Sequence, residues 1–332
     1  MENTKFKAFM VEEQDGGFVR NIKTRSVNDL PENDLLIRVR YSSLNYKDAL
    51  SASGNRGVTR NYPHTPGIDA VGTVVSTDNK KKFREGEEVI VTSYDLGMNT
   101  AGGYGQYIRV PSEWAVKLPE EMSMKESMII GTAGLTAGMS VFRLTQHVKP
   151  ENGKIVVSGA TGGVGALSVA ILTKLGFEVS AISGKEKEHD FLLKLGASEV
   201  IARKDFEQEN TRPMVKGCFA GAIDTVGGSI LDNIIKSMQP MGVVTCCGNV
   251  ASAQLNLTVF PFILRGISLI GIDSQNYPMA DREIVWNKLA KNWKPDNLME
   301  VYNEISFTEL SDNIDLILDG KLKGRTVLDL EA

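Results

Sequence analysis

The sequence is poor in the residues that build covalently stapled or metal-stapled folds. Its 332 residues include only three cysteines and three histidines. Cys246 and Cys247 are adjacent, a poor geometry for a bridge, and no C-x-x-C pair occurs. This argues against a disulfide framework and makes a reducing cytoplasm the expected setting. His64, His147 and His189 are scattered and form no ligand-spaced motif. No apolar run reads as long enough for a membrane span. The opening "MENTKFKAFMVEEQDGG" lacks the apolar core of a signal peptide. A formal net charge of -4 leaves no general attraction for nucleic acid or an anionic membrane. The P-loop, the G-x-S-x-G elbow and H-E-x-x-H are missing too, so kinase and hydrolase chemistry have no support.

What is present reads as an ordinary globular protein, 42% hydrophobic and 23% charged, long enough for two domains. Up to about residue 120, β-rich segments such as "LLIRVRYSSL", "AVGTVVST" and "EEVIVTSY" alternate with Gly and Pro punctuation, as in a partly open all-β body. The period turns helical in "KESMIIGTAGLTAGMSVFRL". Strands are then expected at 154–159, 178–183, 199–203, 221–226, 242–248 and 268–273, with helical patterns between most of them. That alternation predicts a doubly wound parallel sheet. The strand-like "GRTVLDL" near the end is expected to return to the first unit. The expected division is 1–125 with 295–332 for the β unit, and 126–294 for the dinucleotide-binding unit.

The segment "VVSGATGGVGALSVAILTKLG" sets a β-branched run, a glycine cluster and an apolar helical pattern in that order. Its A-x-G-x-x-G spacing comprises Ala160, Thr161, Gly162, Gly163, Val164 and Gly165. Small residues are needed for the tight turn, for backbone approach to a pyrophosphate at Gly162, and for close helix–strand packing at Gly165. The free N–H groups of the helix start would then face the phosphates. An NAD site commonly has an acidic residue about 20 residues further on, for the ribose 2′-OH. Here Ser183, Gly184 and Lys185 stand at that point. A serine and a lysine would receive a 2′-phosphate, which predicts NADP(H).

These residues, with "SSLNYKDAL", "PGIDAVGTV", "SMIIGTAGLTA", "GAIDTVGG", "FPFILRG" and "GRTV", resemble the medium-chain dehydrogenase/reductase superfamily. The likeness covers nearly the whole chain and is to its quinone oxidoreductase branch and the YhdH/YhfP, acryloyl-CoA reductase-like group. The resemblance implies a GroES-like, partly open β-barrel domain plus a Rossmann domain, with the active site between them. It also implies a homodimer through the strand "SLIGI". Zinc alcohol dehydrogenases have Cys where Asn45 stands, and a His-Glu pair where Ile68 and Asp69 stand. Isoleucine cannot ligate a metal and asparagine is a poor zinc ligand, so no zinc is expected.

A zinc-free member suits an acceptor activated by its own conjugation. The expected reaction is NADPH-dependent reduction of a C=C bond in a short enoyl-CoA such as acryloyl-CoA. The alternatives are NADPH:quinone reduction and, in another class, non-catalytic NADPH binding in a structural or regulatory role. Tyr46 is the expected proton donor, or else binds the cofactor ribose. Asn45 either orients the acyl carbonyl or caps a turn. Asp48 reads as a helix-start residue and Asp69 as structural. By resemblance, Thr132 and Thr136 lie near the cofactor, Arg203 near the adenosine phosphate, and Asn249, Ile263, Ser274 and Arg325 along the nicotinamide half.

Overall fold

The structure, a computed structural model, describes residues 4–208 and 210–332. The chain divides into two compact units. One runs to Thr132 and takes in Gln275–Ala290 and Tyr302–Ala332; the other comprises Ala133–Ser274 and Lys291–Val301.

The first unit begins with a hairpin. Lys5–Gln14 pairs antiparallel with Gly17–Ser26. Asp15 and Gly16 take φ 50° and 78°, the left-handed pair that suits a two-residue turn. A seven-stranded sheet follows. Its order is Tyr302–Ile305, Arg325–Asp329, Leu35–Leu44, Asp69–Thr77, Glu88–Thr92 and Ala115–Lys117, with Tyr107–Val110 also on Leu35–Leu44. Leu35, Ile37, Val39, Val89, Val91 and Ile108 lie in one buried cluster, each strand alternating sides as the pleat requires.

The second unit holds a six-stranded sheet. Its order is Glu199–Ala202, Val179–Ser183, Ile155–Val157, Phe219–Asp224, Met238–Cys246 and Ser268–Gly271, and every pair is parallel. This is the doubly wound arrangement expected from the sequence. The order reverses direction beside Ile155–Val157, which makes the end of that strand the topological switch point.

Two sequence expectations need correction. Gln275–Ala290 belongs to the first unit, although its sequence texture continues the alternating pattern. Arg282 explains why: it is fully buried and donates to the carbonyl and hydroxyl of Thr92, each at 2.9 Å. Its guanidinium also lies 4.4 Å from the Tyr94 ring centroid. Second, the helix Met124–Thr145 is long and apolar enough by length and composition to cross a membrane, contrary to the sequence reading. However, 78% of its apolar window is buried in this structure. The helix is also broken at Gly131, at φ 49° and ψ −159°.

Candidate functional site

In the second unit, Ile155–Val157 stops short of the expected 154–159 because the chain turns at Gly159, φ 58°. The tight turn therefore sits one residue before Ala160. A Cβ on Gly159 would lie 2.2 Å from the Thr225 hydroxyl, so this glycine is fixed by space as well as by φ. Gly162 N–H donates to the Gly159 carbonyl at 2.9 Å and closes the turn. Gly162 then serves as N-cap of the helix Gly163–Lys174, with no side-chain cap. The first helical bond is Ala166 N–H to Gly162 O, 2.8 Å. The N–H groups of Gly163, Val164 and Gly165 precede it and have no acceptor within the helix. Gly165 marks the closest approach, since a Cβ there would lie 2.3 Å from the Gly159 carbonyl oxygen. Ala160 and Thr161 are buried beside the turn. An uncapped helix start on a turn where a Cβ would clash fits a dinucleotide pyrophosphate.

At the end of Val179–Ser183, Ser183 pairs with Ala202, so Arg203 follows directly alongside. Ser183 Oγ accepts from Lys185 N–H at 3.0 Å. A Cβ on Gly184 would meet the Arg203 side chain at 3.3 Å. Arg203 donates from Nη2 to Glu207 at 2.9 Å, while its buried Nε has no hydrogen-bond partner among the described residues. Burial holds the Lys185 ammonium below its ordinary range. The four residues expected to read the 2′-phosphate, Ser183, Gly184, Lys185 and Arg203, thus converge from two neighbouring strands. Partly desolvated cations there fit a dianionic group.

The remaining expected cofactor contacts divide. Thr136 is buried and its carbonyl accepts from Ser140 Oγ at 2.9 Å. Asn249 is exposed beyond the strand Met238–Cys246, and Ser274 is half-buried at the unit's end. Ile263 is 70% exposed on the helix Phe260–Arg265, among the exposed apolar Val259, Phe260 and Leu264. These side chains form an exposed apolar patch on the second unit.

The first unit gathers the other expected residues. Strand Leu35–Leu44 runs straight into Asn45, the N-cap of helix Tyr46–Ala52. Tyr46 opens that helix and is 48% exposed. Behind it lies a buried polar cluster. Asn45 Nδ2 donates to Asp69 Oδ2 at 2.8 Å and to Asp48 Oδ2 at 3.2 Å. Its Oδ1 accepts from Arg325 Nη1 at 3.1 Å. Both ends of the amide are therefore engaged inward. This corrects the expectation that Asn45 orients a substrate carbonyl: no amide hydrogen is left for it.

Arg325 is corrected likewise. It is 3% exposed and donates to Ile129 O, Leu44 O, Asn45 Oδ1 and Ser43 Oγ, with Asp69 Oδ2 at 3.7 Å. Its donors are taken up in this cluster, and none is presented to a cofactor. Asp48 accepts from the backbone N–H of Asn45 at 2.9 Å, and from Gly67 and Ile68 at 3.2 and 2.8 Å. Burial, with the Asp69 charge second, pushes its carboxyl up to about 7 despite these donors. Asp69 is a hub that sequence reasoning underrated. Besides Asn45 it receives Ser43 Oγ at 2.5 Å and both the N–H and hydroxyl of Thr132. The only sequence signal was the Asn45-to-Asp48 capping interval; the other partners are far apart in the chain.

The comparisons with known proteins agree with this architecture. The chain matches the Alcohol dehydrogenase GroES-like domain over residues 31–120 and the Zinc-binding dehydrogenase family over residues 163–291. It is 37% identical over 330 residues to the acrylyl-CoA reductase AcuI of Ruegeria pomeroyi, covering 98% of this chain and 100% of that one. It is 42% identical over 330 residues to YhfP of Bacillus subtilis, named as a quinone oxidoreductase, covering 99% and 100%. The crystal structure of YhfP with NAD bound matches at TM-score 0.95, 42% identity, over 98% of this chain and 99% of that one. That of Escherichia coli K-12 YhdH with bound NADPH matches at TM-score 0.93, 40% identity, over 97% and 99%. The chain therefore belongs to the medium-chain dehydrogenase/reductase superfamily of oxidoreductases. Its full-length relatives put it in the quinone oxidoreductase-like branch, alongside YhfP and AcuI. Despite the name of the second family, no group of three or more His, Cys, Asp or Glu among the described residues could hold a metal ion.

Proposed function

We propose that the protein is an NADPH-dependent, zinc-independent reductase of a conjugated C=C bond, acting on a short enoyl thioester such as acryloyl-CoA. The observation that carries this reading is the exposed Tyr46 on a helix start behind which Asn45, Asp48, Asp69 and Arg325 are all engaged inward. When bound, NADPH supplies a hydride. An enoyl thioester brings its own electron sink, so the chain has only to orient it and deliver one proton to the enolate carbon. The Tyr46 phenol is the group for that proton. The likeness to AcuI supports the thioester. A second reading, quinone reduction, is favoured by the likeness to YhfP. NADPH consumption with acryloyl-CoA, crotonyl-CoA and simple quinones side by side separates the two. Preference for the thioesters is expected, and turnover of quinones alone overturns it.

On this reading Gly159–Gly165 holds the pyrophosphate, while Ser183, Lys185 and Arg203 hold the 2′-phosphate. A charge-assisted hydrogen bond contributes roughly 1.5–3 kcal/mol, so Lys185→Ala or Arg203→Ala should raise the Kd for NADPH about ten- to a hundredfold. The Kd for NADH should stay within about threefold. Equal losses for both cofactors, measured by fluorescence titration, would contradict the assignment.

The strand Ser268–Gly271 is the sheet edge, paired among the described residues only with Met238–Cys246, and Met241, Val259, Ile263 and Leu264 of the same unit form an exposed apolar patch. Such an edge and patch favour pairing across a two-fold axis into a homodimer. Ile272 N–H donates inward to Cys246, so by alternation the N–H of Leu269 faces outward. Leu269→Pro should therefore yield monomers in light scattering. A wild-type protein that is monomeric at micromolar concentration contradicts the dimer. Three free cysteines suit a reducing cytoplasm.

A further inference from the structure

The break in helix Met124–Thr145 has its cause inside the buried polar cluster. Gly131 adopts φ 49° and ψ −159°, a region open essentially to glycine alone. A Cβ there would lie 2.5 Å from Asp69 Oδ2 and 2.7 Å from both Arg325 Nη2 and Ser43 Oγ. The break turns the Thr132 N–H onto the Asp69 carboxylate, at 3.0 and 2.9 Å to its two oxygens. The Thr132 hydroxyl donates to the same group at 2.6 Å. Asp69 thus acts as an N-cap supplied from a distant strand. Its Oδ2 also receives Asn45 Nδ2 at 2.8 Å, and Asn45 is the residue that starts the helix bearing Tyr46.

One carboxylate therefore ties two helix starts together, the one at Asn45–Tyr46 and the one after the Gly131 break at Thr132. For stability alone such an arrangement is a poor choice, because a well-packed apolar replacement of a buried ion pair is often as stable or more so. What it does provide is fixed geometry. We propose that Asp69 is a positioning residue for the reduction, holding Tyr46 in its reactive orientation through Asn45. This rests on the reductase reading above. In Asp69→Asn, an amide NH₂ replaces one oxygen and faces N–H or O–H donors, so Asn45 or Thr132 loses its anchor.

The test is a double-mutant cycle of Asp69→Asn with Tyr46→Phe, read by acryloyl-CoA reduction in the full chain. Asp69→Asn alone should lower kcat about 10- to 100-fold, the scale of a misplaced reacting group, with the KM for acryloyl-CoA changed less than about threefold. In the Tyr46→Phe background the same substitution should lower kcat less than about threefold, because its effect passes through Tyr46. Ser43→Ala, which removes one donor to the same carboxylate, should give a smaller effect with the same coupling, and serves if Asp69→Asn fails to fold. Additive losses in the cycle overturn the positioning role while leaving the reductase reading intact. A wild type that does not turn over acryloyl-CoA, whether or not it reduces quinones, overturns that reading, and the positioning role falls with it.

Discussion

Gly165→Ala is expected to raise the Kd for NADPH about 100-fold or more and to lower Tm. By helix propensity alone the substitution should help, since alanine is favoured over glycine by about 1 kcal/mol in a helix. Space decides the sign instead. The added Cβ would lie 2.3 Å from the Gly159 carbonyl oxygen and 2.7 Å from Ala160 Cα, both backbone atoms. The Gly159 carbonyl is held in the turn, where it accepts from Gly162 N–H at 2.9 Å. The helix start must retreat by about 1 Å to reach ordinary contact at 3.4 Å. Overpacking of this kind costs about 1–3 kcal/mol of stability. The same shift moves the N–H groups of Gly163, Val164 and Gly165 off the pyrophosphate. Gly162→Ala separates stability from binding: its Cβ would meet the Gly159 oxygen at 3.3 Å, so Tm should change little, while on the pyrophosphate reading the Kd for NADPH should still rise. A Gly165→Ala protein that binds NADPH within twofold of wild type would show that the turn does not hold the cofactor.

Tyr46→Phe should lower kcat for acryloyl-CoA by about 10²–10⁴, the range for loss of a general acid, with the Kd for NADPH little changed. The polar side chains nearest to Tyr46 in the buried cluster point inward. Asn45, next in the chain, has its amide hydrogens on Asp69 and Asp48, and Arg325 is sealed behind it. Tyr46 is exposed at that helix start, and the half-buried Lys47 beside it donates to Gln275 Oε1 at 2.8 Å. A raised KM for NADPH with kcat nearly unchanged would assign Tyr46 to cofactor positioning instead. Wild-type values of both constants would remove it from the mechanism.

Much of the second unit was legible because its signals are local. β-branched runs ending in glycine predict strands that the structure places within a few residues, and the glycine turn follows from spacing alone. The largest offset is Met238–Cys246, expected from Gly242. It starts earlier, through Pro240 and a left-handed Met241, with an irregular register against Phe219–Asp224. Neither proline nor that φ resembles a strand interior in sequence. The domain boundary was less legible, because Arg282 joins the first unit through Thr92 and Tyr94, contacts nearly two hundred residues back in the chain. The polar cluster was hidden for the same reason. Asn45 and Asp48 share a capping interval, but Asp69, Thr132 and Arg325 meet them only once the sheet and the Gly131 break have formed.

The most direct test of the central claim is to follow the label from NADPH deuterated at the transferred C4 position during reduction of acryloyl-CoA by chelator-treated protein. Hydride addition to the conjugated alkene predicts propionyl-CoA with one deuterium at C3 and a solvent-derived hydrogen at C2, at undiminished rate after metal removal. Deuterium absent from C3, or activity that requires added zinc, would contradict the account.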